Sequence, residues 1–280
     1  MCRHECDAGE PFAVPGGVCQ VCPRHTEAGP RWRPVTPPAI TPARGRLVIC
    51  LAVGESSARE HALTGPSQRR YAERVGADYV VIDGPPTQPW WGLEKFRYRP
   101  YVAAYRESVT IDADIWVSRT APDLFALVPP DRVGVSLSPQ WRFRTEQDLF
   151  ARLMGEVMAS QGEPVPPTAT EFHFNSGLAV LRRSHADFWA PPVLPLPTDE
   201  DGQPHWISEE LWAKRNLVAN DWPVFDIPHP AVHWQWWLDQ GMAGIGPALP
   251  AFVHPAGMTQ RPGGAERRAD VFRVLEASGA

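Results

Sequence analysis

The sequence predicts an α/β fold, a mixed, mainly parallel sheet flanked by helices, with a small cysteine-rich knuckle at the N-terminus. Three observations support this. Short apolar runs rich in β-branched residues alternate with helix-forming stretches from residue 46 onward. A proline-rich stretch from Pro30 to Pro42 separates that region from the first residues. Cys2, Cys6, Cys19 and Cys22 all fall before it. The division read from these features is 1–29 as a Cys/His-rich metal-binding segment, 30–43 as a linker and 44–280 as one domain.

Arg46 to Val53 reads as a strand buried on both faces, because it lacks polar alternation. Gly54 to Ser57 reads as a turn, Ala58 to Val75 as a helix and Asp78 to Ile82 as the second strand, a β-α-β start. Leu93 to Tyr105 is helical in composition, but Pro100 must bend or divide it. Ser108 to Ile111 is a third strand ending at Asp112-Ala113-Asp114, and Ile115 to Val117 is again extended. Val133 to Leu137 and Gly177 to Leu181 are further strands, with helices over 145–161 and 208–218. In sheets of this kind, sites collect at the carboxyl ends of the strands.

Composition excludes several functions. Of 280 residues, 27 are Lys or Arg and 32 are Asp or Glu, a net charge of −5 without a basic block, so no nucleic-acid partner is expected. The longest apolar run, Leu47 to Val53, is far short of the roughly 20 residues that cross a bilayer. The polar start Met1-Cys2-Arg3-His4-Glu5-Cys6 has no signal-peptide core. A cytoplasmic location with reduced thiols is expected, where cysteines more often bind metal than each other. Two thiolate pairs, Cys2-x3-Cys6 and Cys19-x2-Cys22, with His4 and His25 near, suit tetrahedral Zn2+. An iron–sulfur cluster, or incidental thiols in a leader, are the alternatives. Cys50 lies in an apolar strand and reads as packing. The 32 prolines and 12 tryptophans together indicate a folded domain with proline-rich connections.

Asp112 and Asp114 are the most informative pair. Two carboxylates separated by one small residue at the end of a buried strand face the same way if extended, and a turn converges them further. Such a pair holds a divalent cation, and the cation holds a diphosphate. Alone, the pattern is more often that of an ordinary loop with two solvated aspartates, since such patterns are common. The second feature is Asn175-Ser176-Gly177 ahead of an apolar run, where short polar groups and a glycine allow close approach to a ligand. By itself it is a turn before a strand.

Together and in this order, the first strand, the stretch Glu94-Lys95-Phe96 through Tyr105, the D-x-D at Asp112 and Asp114, the N-S-G at Asn175 to Gly177 and Val253-His254-Pro255-Ala256-Gly257 resemble the core of GT-A (Rossmann-like) glycosyltransferases. The sequence is most similar to the retaining family that includes glycogenin and bacterial lipopolysaccharide galactosyltransferases, over about residues 46 to 260. The resemblance implies a metal-dependent hexosyltransferase, with a nucleotide-diphosphate sugar (a UDP-sugar first) as donor and an unspecified glycan, protein or small molecule as acceptor. It implies Asp112, Asp114 and His254 as ligands of Mn2+ or Mg2+. Ala52, Val53 and Gly54 would face the nucleotide, Lys95 would approach phosphate, and Asn175 and Ser176 would meet the donor sugar, with Ala113, Gly177 and Gly257 also in the nucleotide-sugar site and Asn175 counted with Glu209 and Glu210 as a catalytic residue. Glu209 and Glu210 are the candidates for the polar pair the family carries on a later helix. They are equally first-turn carboxylates favoured by a helix dipole, and a general base if the enzyme inverts.

The family's late Lys-Pro-Trp is absent here, since Gly257 leads into Met258-Thr259-Gln260-Arg261, and Arg261 is a substitute cation. Trp90-Trp91 and Trp234, Trp236 and Trp237 offer faces for sugar stacking, with core packing the plainer reading. Two other functions fit less of the pattern. One is a nucleotidyltransferase, which would release pyrophosphate. The other is a noncatalytic module with a degenerate sugar-nucleotide site.

Overall fold

The computed structural model describes residues 31–36, 39–137, 151–159, 162–165, 171–192, 208–228, 233–235, 251–254 and 264–277. A six-stranded sheet in the order β2-β1-β3-β6-β5-β7 forms the centre. Its strands are β1 (Arg46–Val53), β2 (Asp78–Gly84), β3 (Glu107–Asp112), β5 (Val133–Leu137), β6 (Phe174–Arg182) and β7 (Val224–Asp226). β2, β1 and β3 are parallel, β5 and β7 are parallel, and β6 runs against both of its neighbours. The mixed α/β architecture expected from the alternation is therefore present. A second sheet, β4-β9-β8, joins β4 (Trp116–Val117), β9 (Phe252–His254) and β8 (His233–Gln235).

The helices are α1 (Gly54–Arg74), α2 (Arg99–Ala104), α3 (Leu124–Leu127), α4 (151–159), α5 (Ser208–Ala219) and α6 (Gly264–Ala277), with 3-10 segments at Trp91–Tyr98 and Arg183–Trp189. Apolar residues on both faces of β1 explain its central place. Leu47, Val48, Ile49 and Cys50 are fully buried, alternating between two core clusters on opposite sides of the sheet. Burial of such a side chain contributes about 1.5–3 kcal/mol for the larger aliphatics.

Several boundaries differ from those read in sequence. The helix after β1 starts at Gly54 rather than Ala58, because Gly54 takes φ +80° and turns the chain directly out of the strand. Pro100 divides the next helical stretch as expected: the chain is 3-10 up to Tyr98, and the proline sits in the first turn of α2, where its missing N–H costs nothing. Asn175 to Gly177 is strand rather than the turn before one. The β5–β6 ladder continues past a bulge at Val135/Ser136 to pair Ser136 with Asn175 and Leu137 with Phe174.

The proline-rich stretch lies against the domain where it is described. Trp32 meets Phe96 edge-on at 6.3 Å, and Gln88 exchanges hydrogen bonds with the Arg33 backbone in both directions, each 2.8 Å. The described part of this stretch has no helix or strand before residue 46. Cys2, Cys6, Cys19 and Cys22 lie outside the described residues, as do residues 145–150 and 160–161 of the expected 145–161 helix and the Trp236 and Trp237 positions.

Candidate active site

The reversed direction of β6 creates the site. Asn175 and Ser176, just after its first residue Phe174, arrive where β1 and β3 end, since Ile111 pairs with Leu178 and Leu51 with Asp112. Asp112 is the last residue of β3. Ala113 and Asp114 then turn, closed by the Ile115 N–H donating to the Asp112 carbonyl at 3.2 Å. This convergence brings Asp112, Asp114 and His254 together, with one ligand atom of each within 4.8 Å of the others.

His254 comes from the end of β9, 3% exposed, and its Nε2 lies 3.2 Å from Asp114 Oδ1. Gly177 packs against two of the three, Asp112 and His254, and against Asn175. A Cβ there would stand 2.7 Å from Asn175 Oδ1, 2.7 Å from His254 Cε1 and 2.9 Å from Asp112 Oδ2, so any side chain at this position would push those groups aside.

Lys95, from the 3-10 segment, is buried at 4% exposure rather than solvated. Its ammonium donates to Asp112 Oδ2 at 3.0 Å and to Ser176 Oγ at 2.9 Å, and lies 3.7 Å from Glu209 Oε1. Burial disfavours its charge, but Asp112 and Glu209 outweigh that and raise its pKa. Glu209 and Glu210 stand in the first turn of α5 yet are 2% and 5% exposed and face the site. Glu210 accepts from the Asn175 amide and the Ser176 N–H, both at 3.1 Å, and lies 3.0 Å from His173 Nε2. Its pKa is lowered: burial pushes it up, and the His173 bond overcomes that. Glu209 goes the other way, to about 8, because burial and the Glu210 charge exceed what Lys95 returns. Its Oε2 is buried without a hydrogen-bond partner among the described residues. The two neighbours are thus set apart in proton affinity by what they touch.

Asp114 is held as a carboxylate. Burial raises its pKa, and His254 with Arg268 lowers it by more. Glu60, on α1, is instead pushed up to about 7 by burial and by Asp114.

Sequence reading missed the supports of the D-x-D turn. Thr64 Oγ1 donates to the Ala113 carbonyl at 2.5 Å, Gln68 Nε2 donates to the carbonyls of Asp112 (3.0 Å) and Ile115 (2.8 Å), and Ser67 Oγ accepts from the Val117 N–H at 3.0 Å. Tyr79 donates to Gln68 Oε1 at 2.9 Å, fixing the amide. The signal available was Thr64-Gly65-Pro66-Ser67-Gln68, a polar stripe inside a helix that must pack on the sheet. Arg268, on α6, was also missed, while Arg261 and Gly257 lie outside the described residues.

Ala52 is buried at the end of β1, with Val53 and Gly54 half-buried beside it. Ala113, in the turn, is 5% exposed. Trp91 stands 57% exposed with its ring centroid 5.9 Å from Lys95 Nζ and 5.1 Å from that of Trp90. Among the described residues no helix is long and apolar enough to cross a membrane.

No family model matches the sequence, and no curated protein matches it. Solved structures do match, at low identity. One is a glycosyltransferase involved in glycosylation of the major capsid of PBCV-1, at 11% identity over 82% of this chain and 98% of that one, TM-score 0.47. A second is the galactosyltransferase LgtC in complex with donor and acceptor sugar analogues, at 11% identity over 83% and 95%, TM-score 0.45. A third is the bifunctional glycosyltransferase WbbM, at 12% identity over 78% of this chain and 47% of that one, TM-score 0.48. Each of these solved structures is, by its own description, a glycosyltransferase.

Proposed function

We propose that the chain is a metal-dependent glycosyltransferase of the GT-A type that moves a sugar from a nucleotide diphosphate, a UDP-sugar, to an acceptor with retention of configuration. The observation that carries this reading is the convergence of Asp112, Asp114 and His254 beside Lys95, Ser176 and Glu209. Two carboxylates and one imidazole suit a hard divalent ion, Mn2+ slightly better than Mg2+. Asp112, Asp114 and His254 would hold such an ion, which would supply positive charge beside the leaving diphosphate.

The protein groups do the remaining work. Lys95 places a fixed positive charge between the D-x-D and the N-S-G, where phosphate and sugar meet. Glu210 locks the Asn175 amide and the start of β6, so the sugar meets a preset surface. Glu209 Oε2, buried and unbonded among the described residues, is an acceptor for a sugar hydroxyl. In transfer with retention, the bond from the anomeric carbon to the diphosphate oxygen breaks, the acceptor oxygen bonds to that carbon on the same face, and its proton passes to the departing diphosphate. Ala52, Val53, Gly54 and Ala113 line the nucleotide side in this reading. The division into 1–29, 30–43 and 44–280, with Zn2+ on Cys2, Cys6, Cys19 and Cys22, and a cytoplasmic setting are proposed with it on sequence grounds.

The test is product analysis with UDP-glucose, UDP-galactose and GDP-mannose in the presence and absence of Mn2+. Free nucleoside diphosphate that requires both Mn2+ and Asp114 is the expected result. Pyrophosphate would assign a nucleotidyltransferase, and turnover by Asp114→Ala equal to wild type would sink the site.

A further inference from the structure

Both carboxylates of the D-x-D already hold a buried cation. Lys95 lies 3.0 Å from Asp112 Oδ2, and Arg268 Nη1 lies 2.8 Å from Asp114 Oδ2. The same Arg268 nitrogen is 2.6 Å from Glu60 Oε1, and the side chain is only 4% exposed. Arg268 is therefore not a surface group folding back by chance.

Its helix is fixed as well. Glu276 of α6 pairs with Arg70 at 2.8 Å and accepts from Trp116 Nε1 at 3.0 Å, while Phe272 and Leu275 are buried beneath the helix. An arginine stays charged at any pH a protein survives. Its Nε is buried without a hydrogen-bond partner among the described residues, so the guanidinium is satisfied chiefly through its two carboxylates.

A divalent ion entering beside Asp114 meets this fixed positive charge in a partly desolvated corner, where Coulomb terms exceed those in water. We propose that Arg268 is an internal counter-ion of the D-x-D, a positioning residue that weakens uptake of the bare divalent cation and so couples its loading to the diphosphate. This rests on the reading of Asp112, Asp114 and His254 as the cation site. The diphosphate brings the negative charge that outweighs Arg268 and Lys95, so ion and nucleotide favour each other. Glu60 sets the strength of the device, because it shares Arg268 with Asp114 and returns part of the lost negative charge. A merely structural strut would change folding stability and leave the ion affinity alone.

Calorimetric titration of Mn2+ into the whole protein, with and without UDP, tests this on wild type, Arg268→Gln, Arg268→Lys, Glu60→Gln and Asp114→Asn, with thermal unfolding run alongside. Arg268→Gln is expected to bind bare Mn2+ about tenfold tighter or more, with a smaller gain when UDP is present. Arg268→Lys should keep wild-type behaviour, and Glu60→Gln should weaken bare-ion binding. If Arg268→Gln does not fold, Glu60→Gln carries the sign, and unchanged or tighter binding there overturns the proposal. Mn2+ binding that needs Asp114 but is unchanged or weakened by Arg268→Gln overturns the counter-ion role alone. Binding that survives Asp114→Asn, or is absent from wild type in both conditions, removes the cation site itself and this inference with it.

Discussion

The two ends of the central strands carry two polar clusters of opposite character. At the amino ends of β1 and β3, Arg46 pairs with Glu107 at 2.9 Å and Asp123 at 3.1 Å, and Arg182 approaches Glu107 at 3.7 Å while donating to the carbonyls of Phe125 and Val128. Arginines and carboxylates there are matched. At the carboxyl ends, among the described residues, the five carboxyl groups of Glu60, Asp112, Asp114, Glu209 and Glu210 share Lys95 and Arg268 as their permanently charged partners, with the imidazoles of His254 and His173 beside Asp114 and Glu210. The consequence is visible in proton affinity: burial would raise Glu107, but its arginines hold it low, whereas Glu209 is driven up to about 8. A balanced cluster is complete as it stands. An acidic excess in a buried corner is complete only with something positive added.

The sharpest way to break that contrast is Asp114→Ala. Transfer should fall by at least about a hundredfold, because the variant removes a proposed cation ligand, while Glu60 keeps its pair with Arg268 and the protein stays folded. An activity assay beside a melting curve checks both halves. Gly177→Ala comes next. The added methyl would press on Asn175, His254 and Asp112 at 2.7–2.9 Å, costing about 1–3 kcal/mol and also reducing Mn2+ binding. Unchanged titration by that variant would show that the corner is looser than described.

At the other end the effect should reverse. Glu107→Gln leaves Arg46 and Arg182 short of a counter-charge and should cost about 2 kcal/mol in denaturant unfolding, while donor affinity in the folded protein stays at the wild-type value.

The smallest effect concerns His185, whose Nδ1 accepts from the Arg182 N–H at 3.2 Å. Burial, then Arg182, lowers its pKa from 6.5 to about 4. The unfolded chain therefore binds the proton more readily. The contribution of this group is present in full above pH 6.5 and is lost as pH falls toward 4. Stability of wild type should decline across that window more steeply than stability of His185→Gln, as read by chemical denaturation at several pH values.

Where local chemistry dictates position, the sequence was legible. β1, β3 and β5 were readable because continuous apolar runs have few other places to go, and Pro100 divided its helix for a reason confined to one residue. Asp112 and Asp114 could be found because a strand end and a turn converge them locally, and His254 because the order of motifs resembled a known family. Glu60, Thr64, Gln68 and Arg268 were not found. Their importance depends on which turn α1 and α6 pack against, a fact no local pattern encodes. Burial of Lys95, Glu209 and Glu210 was likewise hidden, since each sits in a helical first turn or 3-10 segment where solvated charge is the ordinary outcome.

The ion pairs of Arg268 span 208 residues to Glu60 and 154 to Asp114. During synthesis the β1–β2–β3 core can pair as soon as it emerges, and Lys95 is made with it, but Asp114 and Glu60 lack their arginine until residue 268 has been made and α6 has docked. Contacts so distant along the chain are late and slow to close. A nascent chain halted before that helix would hold the strands of the site while leaving Asp114 and Glu60 without Arg268 and so more open to a cation from the surroundings.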